Sequence, residues 1–405
     1  MKGTSMGYKP SYAKTVKKSG PKDLSMTEFS SNILSMIACG AAETRADLAR
    51  TLNLAPSTIT LKVTALLEAG LITESGSGLS TGGRRATMLS LVPDAGHILA
   101  ADLGAKHVWV GRLNLSGYLL ESKLGAIDIS EGPERVMPQV GAMLRSLTDC
   151  SDGSPLRGVG MALPGPVNFD AGTVVLPSRM RGWHLFDARS WLASEFNVPA
   201  AVDNDVNMMA LGEHALRLQR NPNTKQQQNT LFVKAGAALG CGLILNGAVY
   251  RGGSGAAGDI AHVQIPYAGD LPCSCGNRGC LETVASGGAL IKQLNDSGIP
   301  MSSISELLET VLDGDPQITT RVRTAGRILG HTLSTVVNFI NPDLVVLGGS
   351  LSQIELYAAA VRSQLYEGCH PLATANLSIE QSLAGSQAGL LGAGQLAVRT
   401  VLAAA

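Results

Sequence analysis

The chain has 405 residues, 45% of them hydrophobic, and a formal net charge of +0. That length calls for two or three domains instead of one core. An aromatic content of 4% is too low for a platform that stacks single-stranded nucleic acid, and no apolar run reaches the roughly 18 residues of a membrane span.

The neutral total conceals a basic amino end. Residues 1–90 carry seven Lys and four Arg against six acids, a surplus of five that the remainder cancels. Residues 1–22 hold six Lys and no acid, and are expected to be a disordered basic tail. Order is expected to begin at Ser25, which has capping-box spacing to Glu28. Met26, Phe29, Ile33, Met36 and Ile37 then recur at helical intervals through residue 38.

A second, looser capping box, Thr44-Arg-Ala-Asp47, opens a short helix over 45–52. Pro56 suits the first turn of another helix, over 56–69, which stops at Gly70. Its buried stripe is Ile59, Val63, Leu66 and Leu67. Ser57, Thr58, Thr60, Leu61 and Thr64 form the opposite face. Two short helices and a tight turn are helix-turn-helix grammar, and the second helix is the one that enters a major groove. A strand at 71–73, a flexible tip at 75–78 and a strand at 86–91 read as a wing. Its Arg84 and Arg85 are candidates for phosphate or minor-groove contact.

From Ile98 the pattern changes to strands alternating with helices, the mark of an α/β sheet. Strands are expected at 98–104, 108–115, 118–127, 158–163, 200–202, 230–233 and 344–346. Helices are expected near 133–147, after Asp203-Asn204-Asp205, over 318–340 and over 389–402. Glycine-rich passages after three strands, at Asp102-Leu-Gly104, 234–242 and Leu347-Gly348-Gly349-Ser350, suggest nucleotide-binding ancestry.

Seven cysteines are an odd number, and three fall within eight positions in Cys273-Ser-Cys275-Gly-Asn-Arg-Gly-Cys280-Leu-Glu282. With His262 eleven residues upstream, they offer three sulfurs and one nitrogen, a set suited to a tetrahedral structural Zn2+. This is reduced-compartment usage. With no secretory leader at the start, a cytoplasmic location without membrane insertion is expected.

These motifs together resemble the ROK family (repressor, open reading frame, kinase). The residues that carry the resemblance are Asp102-x-Gly104, Pro164-Gly165-Pro166, Asp203-Asn204-Asp205-Val-Asn207, Gly255-Ala-Ala-Gly258-Asp259-Ile-Ala-His262, the cysteine run and Leu347-Gly348-Gly349. The family's regulators carry a winged helix in front; its plain sugar kinases do not.

The resemblance implies an actin-like (RNase H-like) two-domain α/β body behind an all-α/winged helix-turn-helix domain. The expected division is a tail at 1–22 and a DNA-binding domain at 23–92. A first α/β domain follows at 93–215, completed by 388–405, and a second at 216–387 holds the zinc. His262, Cys273, Cys275 and Cys280 match the family's metal ligands. Asn204, Asp205, Asp259, His262 and Glu282 match its sugar-binding positions. Asp259 stands where the family usually has Glu, which shortens the arm by about one bond and alters the sugar or admits a water.

Asp205 also matches the kinases' catalytic base, but the phosphate loops depart from the kinase pattern. Asp102-Leu-Gly104-Ala105-Lys106 lacks the hydroxyl of Asp-x-Gly-x-Thr, with Lys106 as a compensating charge, and Gly236-Ala237-Ala238 replaces Gly-Thr-Gly. No catalytic residue is therefore expected. The resemblance implies a sugar-responsive transcription regulator, most simply a repressor, acting on operator double-stranded DNA as a homodimer or dimer of dimers. A transporter protein is a further candidate partner. The alternative is an active ATP-dependent sugar kinase with a DNA-binding appendage.

Overall fold

The structure is a computed structural model that describes residues 33–34, 36–37, 42–77, 87–148, 153–221 and 228–404. The basic tail, the Ser25 cap, Arg84 and Arg85 lie outside the described residues.

Helix α1 (Arg45–Leu52) begins as its sequence dictates. Thr44 Oγ1 accepts the amide of Asp47 at 3.1 Å and donates to the Asp47 carboxylate at 2.7 Å. Asn53 ends it in the left-handed region at φ 52°. Helix α2 (Pro56–Glu68) has Pro at its first turn and buries Ile59, Lys62, Val63 and Leu66. Strands β1 (Ile72–Ser77) and β2 (Thr87–Leu91) pair antiparallel from Ile72↔Leu91. Pairing reaches Ser77, so the strand continues through the segment expected as a flexible tip. A register shift between Ser75 and Ser77 absorbs the extra residue.

Two five-stranded sheets follow, and they share one plan. The first is ordered β5 (Leu119–Ala126), β4 (His107–Asn114), β3 (His97–Leu103), β6 (Leu156–Leu163), β9 (Ala200–Asn204). The second is ordered β12 (Ala248–Val249), β11 (Leu239–Leu245), β10 (Thr230–Ala235), β13 (Leu344–Gly348), β14 (Ser378–Gln381). In each, an antiparallel three-strand meander is extended by two parallel strands. A small hairpin, β7 (Val167–Asn168) and β8 (Thr173–Val174), lies between β6 and β9 in the chain.

Every residue of β3 is buried, because both faces of the first sheet are covered. One face packs with α3 (Pro133–Arg145) and α4 (Ala188–Phe196) around Leu99, Val140, Met161 and Leu192. The second sheet packs its outer face against α7 (Gly287–Asp296), α8 (Ile304–Leu312), α9 (Pro316–Ile340) and α10 (Glu355–Gly368). The four-residue helix α6 (Glu282–Ala285) precedes α7.

Between the sheets run α5 (Asp205–Arg220) and α11 (Ala388–Ala404). Their backbones meet closely. A Cβ on Gly392 would stand 1.8 Å from the Met208 carbonyl, and one on Gly212 would stand 2.1 Å from that of Ala388. Only glycine fits such an approach.

The far end of α11 belongs to another core. Val398, Val401 and Leu402 pack with Ile33, Leu48, Ile59, Val63, Leu66 and Leu89 of the amino-terminal module. One helix therefore touches the sheet interior and the helix-turn-helix. Among the described residues, no helix is long and apolar enough to cross a membrane.

Candidate ligand cleft, metal cluster and helix face

The outward face of α2 is as expected: Ser57, Thr58, Thr60, Leu61 and Thr64 are all exposed. Leu61 is 65% exposed, a large apolar side chain on a helix whose other stripe is already packed. The Thr60 hydroxyl donates back to the Pro56 carbonyl at 2.8 Å.

The candidate ligand site lies where strands of the first sheet end. β9 delivers Asp203 and Asn204, and Asp205 opens α5. Asn204 caps the helix, accepting from Val206 at 2.9 Å and Asn207 at 3.3 Å, while its amide donates to Gly165 at 3.0 Å. Its helix-capping role and its position in the cleft coexist. Asp203 is spent on structure: it accepts Asn207 at 3.1 Å and Arg251 at 2.7 Å. The Arg251 guanidinium lies 3.7 Å over the Phe169 ring.

Asp205 is buried, and its Oδ2 holds the ammonium of Lys234 at 2.5 Å. Burial disfavours that charge, but Asp205, Asp102 and Glu282 outweigh it and hold Lys234 above the usual lysine value. Asp102, buried one residue before the end of β3, is pushed up to about 7, first by burial and then by Asp205, with Lys234 opposing. His107 is shifted down by burial and by the same ammonium. Glu282, at the start of α6, accepts the Leu239 amide at 3.1 Å and pairs with Arg179.

Of the expected sugar-binding residues, Asp205 and Glu282 thus gather around Lys234. Asp259 stands exposed just before a short 3-10 turn, Ile260–His262. That turn is fixed by Gly258, at φ +89°, where a Cβ would stand 2.0 Å from the Cys241 carbonyl. Lys234, Arg179, Arg251 and His107 escaped the sequence reading. Lys234 left a signal: a single charge inside an apolar strand, Thr-Leu-Phe-Val-Lys-Ala.

His262, Cys273, Cys275 and Cys280 come together, their ligand atoms all within 4.8 Å of one another, so they could hold a metal ion. A turn closed by Cys273 N–H to Asn277 at 2.9 Å and Gly276 N–H to Cys273 at 3.1 Å folds the cysteine loop on itself. Burial, then the Cys273 and Cys275 thiols, pushes Cys280 up to about 12. Such crowded sulfurs cannot all ionise without a cation among them. The imidazole turns Nδ1 to Cys273 at 3.4 Å, which leaves Nε2 on the other side of the ring.

Groups of the three glycine turns are engaged elsewhere in the chain. Lys106 does not supply charge to the first: its ammonium bonds Asp128 at 2.5 Å on the surface, holding that carboxyl down to about 2 with help from Ser130. In the second, Gly236 and Ala237 carbonyls accept the Gly287 and Gly288 amides at 2.8 and 3.1 Å. In the third, Gly349 has φ +84° and its carbonyl accepts from Ser352 at 2.7 Å.

Comparison with known proteins places this architecture. The xylose repressor of Bacillus spizizenii is 28% identical over 361 residues, covering 88% of this chain and 91% of the repressor. A crystal structure of a ROK family transcriptional regulator, a homologue of the Escherichia coli MLC protein, superposes with a TM-score of 0.78 at 24% identity. It covers 93% of this chain and 96% of that one. A ROK hexokinase from Thermus thermophilus gives a TM-score of 0.61 at 27% identity, covering 97% of the hexokinase but 74% of this chain. The family profile described as the ROK family matches residues 95–400, and the chain is a member of the ROK family.

Proposed function

We propose that this protein is a sugar-responsive DNA-binding transcription regulator, in the first instance a repressor of carbohydrate genes, and not a sugar kinase. The observation that carries this reading is the shared core. The helix-turn-helix packs on Val398, Val401 and Leu402 of α11, and α11 packs along α5, whose first residue is Asp205 in the cleft. A ligand that moves α5 therefore acts on the DNA-binding module through one intervening helix. The resemblance to a xylose repressor supports the same reading.

The proposed division keeps the bounds read from sequence: a DNA-binding domain at 23–92, an α/β domain at 93–215 completed by 388–405, and a second at 216–387. Ser57, Thr58, Thr60, Leu61 and Thr64 face the major groove, and Arg84 and Arg85 contact the DNA backbone. A homodimer presents two such helices to half-sites about one helical turn apart or a multiple of it. Asn204, Asp205, Asp259, His262 and Glu282 receive the sugar, whose hydroxyls both donate and accept. Carboxylate acceptors give the stronger, charge-assisted bonds.

The metal is structural Zn2+. Bonds of about 2.3 Å to sulfur around a tetrahedral ion set two sulfurs roughly 3.8 Å apart and a sulfur and a ligating nitrogen roughly 3.5 Å apart. The Cys275 and Cys280 sulfurs are 3.8 Å apart, and Cys273 Sγ lies 3.4 Å from His262 Nδ1. Zinc on Nδ1 fixes the tautomer, so Nε2 keeps its proton for a ligand hydroxyl.

The test is a thermal-shift screen of the full chain against neutral sugars, amino sugars and their phosphates, followed by operator binding with each hit. A hit that changes operator affinity is the expected result. Turnover of ATP on a hexose, with no affinity for duplex DNA at low salt, would overturn the proposal.

A further inference from the structure

Lys234 is out of place for a strand residue. The rest of β10 is buried, and the Lys234 side chain is 23% exposed, with its ammonium turned onto Asp205, which is 7% exposed. Asp205, from the start of α5, takes the ammonium directly, and the charges of Asp102 from β3 and Glu282 from α6 act on it as well, so carboxylates of three elements bear on a cation from a fourth. The other Asp205 oxygen accepts the Val206 amide at 2.9 Å.

A phosphoryl-transfer site receives its neutralising cations with the nucleotide, as magnesium. It also needs a carboxylate that can take the hydroxyl's proton. Here the neutralising cation is part of the chain. A proton placed on Asp205 would dissolve the ion pair and leave the ammonium facing a neutral acid at a buried position, which is costly. A hydroxyl beside the pair has the opposite effect. It can donate to Asp205 and accept one of the two remaining ammonium protons, so both charges stay paired.

We propose that Lys234 is the specificity-determining residue of this cleft: it makes Asp205 a receptor for a neutral sugar hydroxyl instead of a base for phosphorylation, and itself donates to that hydroxyl. The proposal rests on the sugar-cleft reading above. It has a consequence in proton linkage. With Lys234 in place, its ammonium opposes the rise of the Asp102 carboxyl, which exchanges its proton near neutral pH. Without it, Asp102 and Asp205 are adjacent carboxylates with no cation between them, and Asp102 holds its proton to higher pH. The other charged groups facing the site are Glu282, its partner Arg179, and His107.

The experiment uses the full chain with D-xylose, D-glucose and N-acetyl-D-glucosamine as probes. Calorimetry is run at pH 6, 7 and 8 in buffers of different ionisation enthalpy, on wild type, Lys234→Met and Lys234→Gln. A cooperative thermal transition is the fold control, and the Gln variant stands in should the Met variant fail it. The expected result has three parts. Wild type binds at least one sugar across this range. The neutral variants bind it at least about tenfold more weakly, with a proton exchange that differs from that of wild type. Wild type does not phosphorylate the sugar with Mg2+-ATP.

Neutral variants with wild-type affinity and wild-type proton exchange would overturn the role of Lys234 alone. Phosphorylation by wild type would overturn it too. Binding of none of the three sugars by wild type would remove the sugar-cleft reading, and the proposal with it.

Discussion

Single side chains in the cleft carry charge states that titration can read. Asp102 is pushed up to about 7 in the folded chain, against roughly 3.9 when unfolded. Between those values the folded state binds the proton and the unfolded state does not, so stability falls as pH rises from about 4 to about 7 and is constant above. Three units correspond to a loss on the order of 4 kcal/mol, an upper figure because the Asp102 proton is coupled to the charges of Asp205 and Lys234. Asp102→Asn removes that slope. Its thermal midpoint should decline less than that of wild type between pH 5 and pH 8, and parallel curves would show that Asp102 does not carry the proton. At this scale the sequence was legible where chemistry is local. His262 and the three cysteines lie within nineteen positions and meet in space. The partners of Lys234 were not legible, because Asp205 is 29 residues away in sequence and only the fold brings the two together.

Elements show the same division between local and long-range signals. The caps at Thr44 and Asn204 and the Pro56 start were readable, because each acts within one turn of its helix. The end of β1 was not: Ser75 and Gly76 have turn-former composition, yet cross-strand pairing with Met88 and Thr87 carries the strand past them. On α2 the exposed face separates recognition from folding. Leu61→Ala removes a side chain that is 65% exposed, so unfolding free energy should change by less than about 0.5 kcal/mol. Operator affinity, measured by fluorescence anisotropy, should fall nonetheless. A stability loss comparable to that of a core residue would mean that Leu61 packs against another copy of the chain. In the cysteine loop, Cys275→Ser should lower metal content by elemental analysis and sugar affinity together, since the same knot orients His262 and precedes Glu282. Full zinc content with unchanged sugar binding would take Cys275 out of the ligand set.

Across the whole molecule, the two sheets repeat one topology and α5 and α11 fill the space between them. The alternation of strand and helix made the α/β class legible, and the actin-like body came from the resemblance to the ROK family. What it could not give is the destination of the last helix, because an apolar stripe names no partner. The stripe is in fact divided. Ala388 and Leu390 face the sheets and α5, whereas Val398, Val401 and Leu402 complete the core of the helix-turn-helix module. On the proposed function this split makes α11 the element through which cleft and module share free energy, and by linkage the sugar and the operator then change each other's affinity by one factor. Leu402→Ala tests that path at the end remote from the cleft. Leu402 is buried, so its truncation should cost about 2–4 kcal/mol, concentrated in the amino-terminal module. Sugar affinity without DNA should remain that of wild type, because the cavity opens far from Asp205. The ratio of operator affinities with and without sugar should move toward one, read by anisotropy titration at fixed salt. An unaltered ratio, despite the measured loss of stability, would send the coupling through a dimer contact instead of through α11.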